Sequence, residues 1–271
     1  MQCGKYILDF NKTLIMGILN ITPDSFYDGR IFNNPGKAIE HAKNMISDGA
    51  DIIDVGGEST RPGSKAISAE QELKRIVPVI KKLAKEVNVP ISIDSCKPQV
   101  VEECLKIGAS MVNDITGLRN SEMIRVAAKH KAPVIIMHMK GTPKNMQENP
   151  AYNDVVREIK QFLSDRIKEA KINGIDKLII DPGIGFGKTT QHNLEILKRL
   201  NEFKDLKAPI LIGTSRKSFI GKISGLQANE RLEGTLASIA IAILNGANIL
   251  RVHDVKECKR AAQIADAIRD A

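Results

Sequence analysis

Eight short apolar runs recur along the chain, at residues 13–20, 51–57, 90–95, 111–115, 133–139, 177–182, 209–215 and 249–255. Nearly all of them end in a polar or ionisable side chain just before a loop rich in glycine or proline. Asn20, Asp54, Asp94, Asn113, His138, Asp181, Lys217, Arg251 and His253 stand at or near these ends. A buried strand gains nothing from a charge at its tip unless a partner or ligand meets it there, so the pattern points to an enzyme. Runs such as Leu178-Ile179-Ile180 and Ile210-Leu211-Ile212 are apolar on both faces, as in a parallel sheet covered by helices.

Between the runs, apolar residues repeat at intervals of three and four, the spacing of one helix face. After Ser68 these are Leu73, Ile76, Val77, Ile80, Leu83, Ala84 and Val87, and Ser68 with Gln71 forms a capping box that marks the start. Asn34-Pro35 is a comparable start for the segment carrying Ile39, Ala42, Met45 and Ile46. Further helices are predicted around Val155 to Ala170, Leu232 to Ile243 and Cys258 to Ile268. Eight strands alternating with eight helices predict an α/β fold, a (β/α)₈ TIM barrel, with a doubly wound open sheet as the rival. Residues 2–10 predict a short extra N-terminal strand or hairpin at the barrel floor. The connections 21–34, 58–67 and 140–153 follow strand ends and open on one rim, as loops that close over a ligand do.

With 271 residues and 42% hydrophobic content, the chain is expected to form a single domain over 1–271. Forty Lys and Arg against 32 Asp and Glu give a net charge of +8, which suits nucleic acid, a membrane surface or an anionic metabolite. The basic residues are scattered through predicted helices, and aromatic residues are only 4% with no Trp, so platforms for stacking bases are few. A nucleic-acid partner is therefore not expected. No apolar stretch reaches the ~20 residues of a membrane span, and Cys3, Cys96, Cys104 and Cys258 read as free thiols. A cytoplasmic protein with no membrane partner is expected.

The segment 181–189, Asp-Pro-Gly-Ile-Gly-Phe-Gly-Lys-Thr, resembles a phosphate-cradling loop but fails its spacing, since Pro182 occupies the position of the first glycine. What remains is a strand-tip Asp followed by glycines on which a flat ligand can approach the backbone, with Phe186 as a wall. Segment 56–63 supplies hydroxyls and Arg61 after the second run. Segment 213–221 places Arg216 and Lys217 where the seventh run enters a helix, close to the phosphate position common in barrels. Arg251 and His253 extend that cationic cluster. Asp94, Asn113 and Asp181, from the third, fourth and sixth runs, ask for a ligand with several ring N–H donors or for a metal. His138 and His253 are too far apart in strand order for a zinc site, and His41, His130 and His192 read as surface residues.

Taken in order, segment 16–26, Asp28-Gly29, segments 56–63 and 93–98, Asn113-Asp-Ile115, and segments 181–189, 215–221 and 251–255 resemble the dihydropteroate synthases. The resemblance implies a homodimeric (β/α)₈ barrel of folate synthesis that condenses 6-hydroxymethyl-7,8-dihydropterin pyrophosphate with p-aminobenzoate, releasing pyrophosphate with Mg²⁺. It assigns Asp94, Asn113, Asp181 and Lys217 to the pterin ring, with Met137, Ile115 and Phe186 packed near it. It assigns Asn20 to the metal and pyrophosphate, with Thr60, Arg61, Arg251 and His253 also on the anion, and Ser218, Phe26 and Pro62 to the aminobenzoate. Asp94, Lys217, Arg251 and His253 are the expected catalytic residues. Tyr27 and Arg30 depart from the small residues usual at their positions. The alternative is a pterin-binding methyltransferase barrel, which shares the ring contacts but has no use for Arg61, Lys217-Ser218 and Arg251 with His253 as an anion and amine site.

Overall fold

A computed structural model describes residues 1–22, 35–60 and 63–271. The chain begins with an antiparallel hairpin, β1 (Gln2–Cys3) and β2 (Tyr6–Ile7). Eight parallel strands follow: β3 (Leu14–Asn20), β4 (Ile52–Gly56), β5 (Ile91–Asp94), β6 (Met111–Asp114), β7 (Val134–Met137), β8 (Leu178–Asp181), β9 (Leu211–Ile212) and β10 (Ile249–Val252). They lie in the order β8-β7-β6-β5-β4-β3-β10-β9, and a parallel bridge from Ile180 to Ile210 joins the two ends. This is the expected (β/α)₈ barrel, and the open-sheet rival is ruled out.

Nine helices surround the strands among the described residues: α1 (Pro35–Ser47), α2 (Ala69–Glu86), α3 (Pro98–Lys106), α4 (Ser121–His130), α5 (Val155–Ile172), α6 (Thr190–Lys198), α7 (Ser218–Ser224), α8 (Leu232–Leu244) and α9 (Val255–Arg269). The ninth arises because α7 is a short extra helix between β9 and α8, an addition common near barrel phosphate sites. Local signals set the helix starts. The Ser68 hydroxyl accepts from the Gln71 amide at 3.1 Å while the Gln71 side chain accepts from the Ser68 amide at 3.1 Å, the reciprocal capping box. Asp154 caps α5 and Thr189 caps α6, the latter with His192 completing the box. Of the predicted face of α2, Ile76, Ile80, Leu83 and Val87 are buried, joined by Val79, while Leu73, Val77 and Ala84 are only half-buried. Glu72 is fully buried beside that face because Lys97 meets its carboxylate at 2.6 Å.

The strand alternation separates two cores. Outward residues such as Ile53, Val55, Ile93, Val112 and Ile136 pack with the helices in one large cluster. Leu14, Met16, Ile52, Met111, Ile135, Ile179, Leu211 and Ile249 form a second cluster inside the barrel, with Cys3 and Leu8 of the hairpin segment beneath it. The hairpin thus plugs the floor, and the Cys3 thiol donates to the Ser110 carbonyl at 3.3 Å. Two residues further along, the same inward face turns polar: Ile52 is followed by Asp54, Met111 by Asn113, Ile179 by Asp181 and Ile249 by Arg251. An apolar layer at the floor therefore carries a polar layer at the carboxyl-end mouth. Among the described residues, no helix is long and apolar enough to cross a membrane.

Candidate active site

One cavity opens at that mouth, lined by Ile18, Thr60, Asp94, Asn113, Ile115, Met137, Asp181, Phe186, Gly213, Ser215, Lys217, Arg251 and His253. Ten of the expected site residues meet here, from seven different strand ends or the loops after them. Asn20 closes β3 nearby. Gly56 keeps the gap beside it clear, since a Cβ there would lie 3.4 Å from Asn20 Oδ1 and 3.6 Å from Asp94 Oδ2. Ser218 is exposed at the first turn of α7, outside the lining. Phe26, Tyr27, Arg30, Arg61 and Pro62 lie outside the described residues.

At the centre, Arg251 donates through Nε to Asp54 Oδ2 at 2.7 Å and through Nη2 to Asp94 Oδ2 at 2.6 Å. Asn113 Nδ2 donates to the same Asp54 oxygen at 3.1 Å. Burial pushes the Asp94 carboxyl up to about 7, against the pull of the Arg251 guanidinium and with the Asp54 charge adding to the rise. The free space is about 60 Å³, well below the roughly 300 Å³ or more of a small-molecule site.

Asp181 is 7% exposed and accepts from the Gly183 amide at 2.7 Å. Burial raises its carboxyl, while the Gly183 hydrogen bond and the Lys217, Lys188 and Arg251 charges oppose the rise. Lys217, the N-cap residue of α7, reaches across to the Ile184 carbonyl and lies 4.3 Å from the Phe186 ring centroid. Desolvation lowers its ammonium to about 8 despite the attraction of Asp181. Ser215 Oγ sits 2.9 Å from His253 Nδ1 and accepts from the His253 amide at 3.2 Å, which fixes the imidazole at the rim.

Four sequence expectations change. The glycines of 183–187 serve packing within the protein: a Cβ on Gly183 would lie 2.0 Å from the His138 carbonyl oxygen, and one on Gly187 would lie 2.4 Å from that of Lys140. Both have positive φ, so glycine is required twice over. Second, His138 and Lys188 belong to the support of this loop rather than to the lining. Buried Lys188 donates to the Phe186 carbonyl at 3.0 Å and lies 3.0 Å from His138 Nδ1. Desolvation and then the Lys188 charge push the His138 imidazole down to about 2, so it stays neutral. Third, Arg216 pairs with Asp254, Nε to Oδ2 at 2.8 Å, outside the cavity lining. His192 is half-buried as a helix cap and His130 is half-buried as well, so neither is a plain surface residue.

Asp54, marked in the sequence as a strand-end charge but given no role, is fully buried beneath the cavity and joined to Arg251 and Asn113. It shares the inward alternation of Ile52 and Gly56, a signal readable in the sequence. Among the described residues, no group of three His, Cys, Asp or Glu gathers to hold a metal. A hard cation bound with substrate phosphates needs only one or two protein oxygens, and the Asn20 side-chain oxygen beside Gly56 fits that demand.

A barrel whose mouth gathers Asp94, Asn113 and Asp181 with Lys217, Arg251 and His253 belongs with the enzymes that bind pterins, and the pterin-binding enzyme family model matches residues 16–253. The dihydropteroate synthase of Escherichia coli K12 is 47% identical over 266 residues, covering 97% of this chain and 94% of that protein. The Yersinia pestis dihydropteroate synthase, solved with a sulfonamide drug complex, superposes with a TM-score of 0.97 at 43% identity, covering 100% and 99% of the two chains. The Xanthomonas albilineans dihydropteroate synthase, solved with 7,8-dihydropteroate, gives 0.89 at 38% identity, covering 99% and 98%. The chain belongs to the dihydropteroate synthase family, whose members are transferases.

Proposed function

We propose that this mouth joins 6-hydroxymethyl-7,8-dihydropterin pyrophosphate to p-aminobenzoate, giving 7,8-dihydropteroate and pyrophosphate. The observation that carries the reading is the gathering of Asp94, Asn113, Asp181, Lys217, Arg251 and His253 around one cavity. The 2-amino and ring N–H of a pterin present adjacent donors that the Asp181 carboxylate accepts as a pair, which fixes orientation as well as affinity. Ile115, Met137 and Phe186 supply apolar walls for the ring faces, and Lys217 donates to the ring edge.

The C–O bond to pyrophosphate breaks and a C–N bond to the arylamine forms, with the amine proton leaving to solvent or to the departing pyrophosphate. An arylamine is already unprotonated at pH 7, so no strong general base is required. Guanidinium N–H groups of Arg251 not engaged by Asp54 and Asp94, together with His253, Thr60 and Arg61, hold the anion as its charge grows. Positive charge left on the methylene spreads into the ring, where Asp94 favours it. Asn20 would hold Mg²⁺, which when bound neutralises charge on the leaving pyrophosphate. Ser218, Phe26 and Pro62 serve the aminobenzoate side, the side on which sulfonamides compete.

The protein acts as a homodimer in the cytosol on this reading. Supporting the pairing, Ile241 and Leu244 of α8 are 50% and 47% exposed and Ile264 and Ile268 of α9 are 65% and 62% exposed, apolar surface on two helices packed together. Pyrophosphate release on mixing both substrates, with and without Mg²⁺, tests the activity. Release that needs both substrates is expected, and no release from folded protein with both present rejects the reading.

A further inference from the structure

Asp54 is fully buried and absent from the cavity lining. Its Oδ2 accepts from Arg251 Nε at 2.7 Å and from Asn113 Nδ2 at 3.1 Å, while its Oδ1 has no hydrogen-bond partner. A buried carboxylate with one oxygen unpartnered costs stability, so packing alone does not account for it. A carboxylate paired to a guanidinium only accepts hydrogen bonds, so Asn113 can meet Asp54 in one orientation alone, nitrogen inward. Asn113 is itself 4% exposed and lines the cavity. One of its two N–H groups is taken by Asp54. The amide therefore has its oxygen and its second N–H left for a ligand, an acceptor and a donor side by side.

We propose that Asp54, without touching the ligand, fixes the polarity of Asn113 and so makes the site select a heterocycle in which a ring-nitrogen acceptor adjoins an amino donor. The inference rests on the pterin reading above, because N1 and the 2-amino group of a pterin form that pair. Asp181 would read the other side of the same amino group, through the 2-amino and N3–H donors. Two side chains with opposite requirements then bracket one exocyclic group, and Asp54 makes their requirements differ. Asp54 is accordingly a positioning residue.

The test compares binding of 6-hydroxymethylpterin and its 1-deaza analogue, in which ring N1 is a C–H, by calorimetry. The proteins are the unaltered chain, Asp54→Leu and Asp54→Ala. The unaltered protein is expected to prefer the pterin by about tenfold or more, since the analogue leaves a buried N–H unpaired. Asp54→Leu removes the acceptor that holds the Asn113 nitrogen inward, so the amide can turn either end to the cavity and the preference falls to about threefold or less. Asp54→Ala removes the same acceptor with a smaller side chain and is expected to lose the preference to the same extent, which keeps the test open where Asp54→Leu does not fold. Variants that bind both probes more weakly but in the unaltered ratio overturn the proposal, because that is the signature of a purely structural role. An unaltered protein that binds neither probe rejects the pterin reading, and this inference with it.

Discussion

Replacing Arg251 with Leu removes the one cation that two buried carboxylates share. Asp54 is 0% exposed and Asp94 8% exposed, and both are held by the same guanidinium at 2.7 and 2.6 Å. Breaking a buried pair by deleting one partner costs about 3–5 kcal/mol, because the remaining charge stays desolvated. For a chain of this size that corresponds to a melting-temperature loss of roughly 6–15 °C at pH 8. The sign of the pH dependence follows from Asp94. Its folded carboxyl already lies at about 7, above the unfolded value, so the folded state holds more protons than the unfolded state between those limits and stability falls as pH rises through that window. Without Arg251 the carboxyl moves higher still, which extends the loss to pH values where the unaltered protein has finished titrating. At pH 5 Asp94 is protonated in both proteins, and the gap between them narrows. Thermal melts of the two proteins at pH 5 and pH 8 test this. An equal gap at the two values, or a loss under about 2 °C at pH 8, refutes the argument that the guanidinium offsets buried negative charge.

Asp94→Asn keeps the shape of the side chain but removes the charge facing the reacting carbon, and turnover is expected to fall about 10²-fold with the fold intact; unchanged kcat in a folded variant removes Asp94 from the chemistry. Pterin binding should weaken above about pH 8 as Lys217 loses its proton, and Lys217→Arg should abolish that falling limb in a pH titration; a limb that persists assigns it elsewhere. Ser68→Ala deletes the capping box of α2 and should cost about 1 kcal/mol in a urea melt, with no effect on turnover. Ile241→Lys places a charge on the apolar outer face of α8 and should convert a dimer to a monomer in sedimentation analysis; a variant that stays dimeric moves the interface to another face.

Burial leaves the ionisable groups of the site short of partners that a ligand can supply. Desolvation displaces Asp94 and Asp181 toward their neutral acids and Lys217 toward its neutral amine. A ligand whose ring edge donates hydrogen bonds and whose tail carries negative charge restores partners to all three at once. A ligand with only one of these ends restores partners on one side and leaves the other desolvated. The net charge of +8 steers anions toward the molecule, but selection comes from the donors and acceptors that the one cavity leaves to be met.

The barrel was readable because its strands alternate with strongly periodic helices, and because nearly every apolar run has a residue unsuited to a core at or near its end. Asp94, Asn113, Asp181 and Lys217 were readable for the same reason: each stands beside an apolar run, where polarity needs an explanation. Partnership was harder to read. Arg251 suggests an anion from its type and neighbours, yet its nearest partners are Asp54 and Asp94, 197 and 157 residues away in sequence. That pairing depends on how far each strand is staggered around the barrel. Met16 lies level with both Ile52 and Arg251, and Gly56 with Asp94, so a guanidinium starting lower on β10 has to reach upward across the interior. Rooted level with Ile52, the cation reaches Asp54 two residues higher and Asp94 at the Gly56 level, four residues higher, and its remaining N–H groups are left for the mouth. The same stagger hides Asp54 under the cavity, where the strand pattern marks it as inward but only the register shows that it grips Asn113 and Arg251 together.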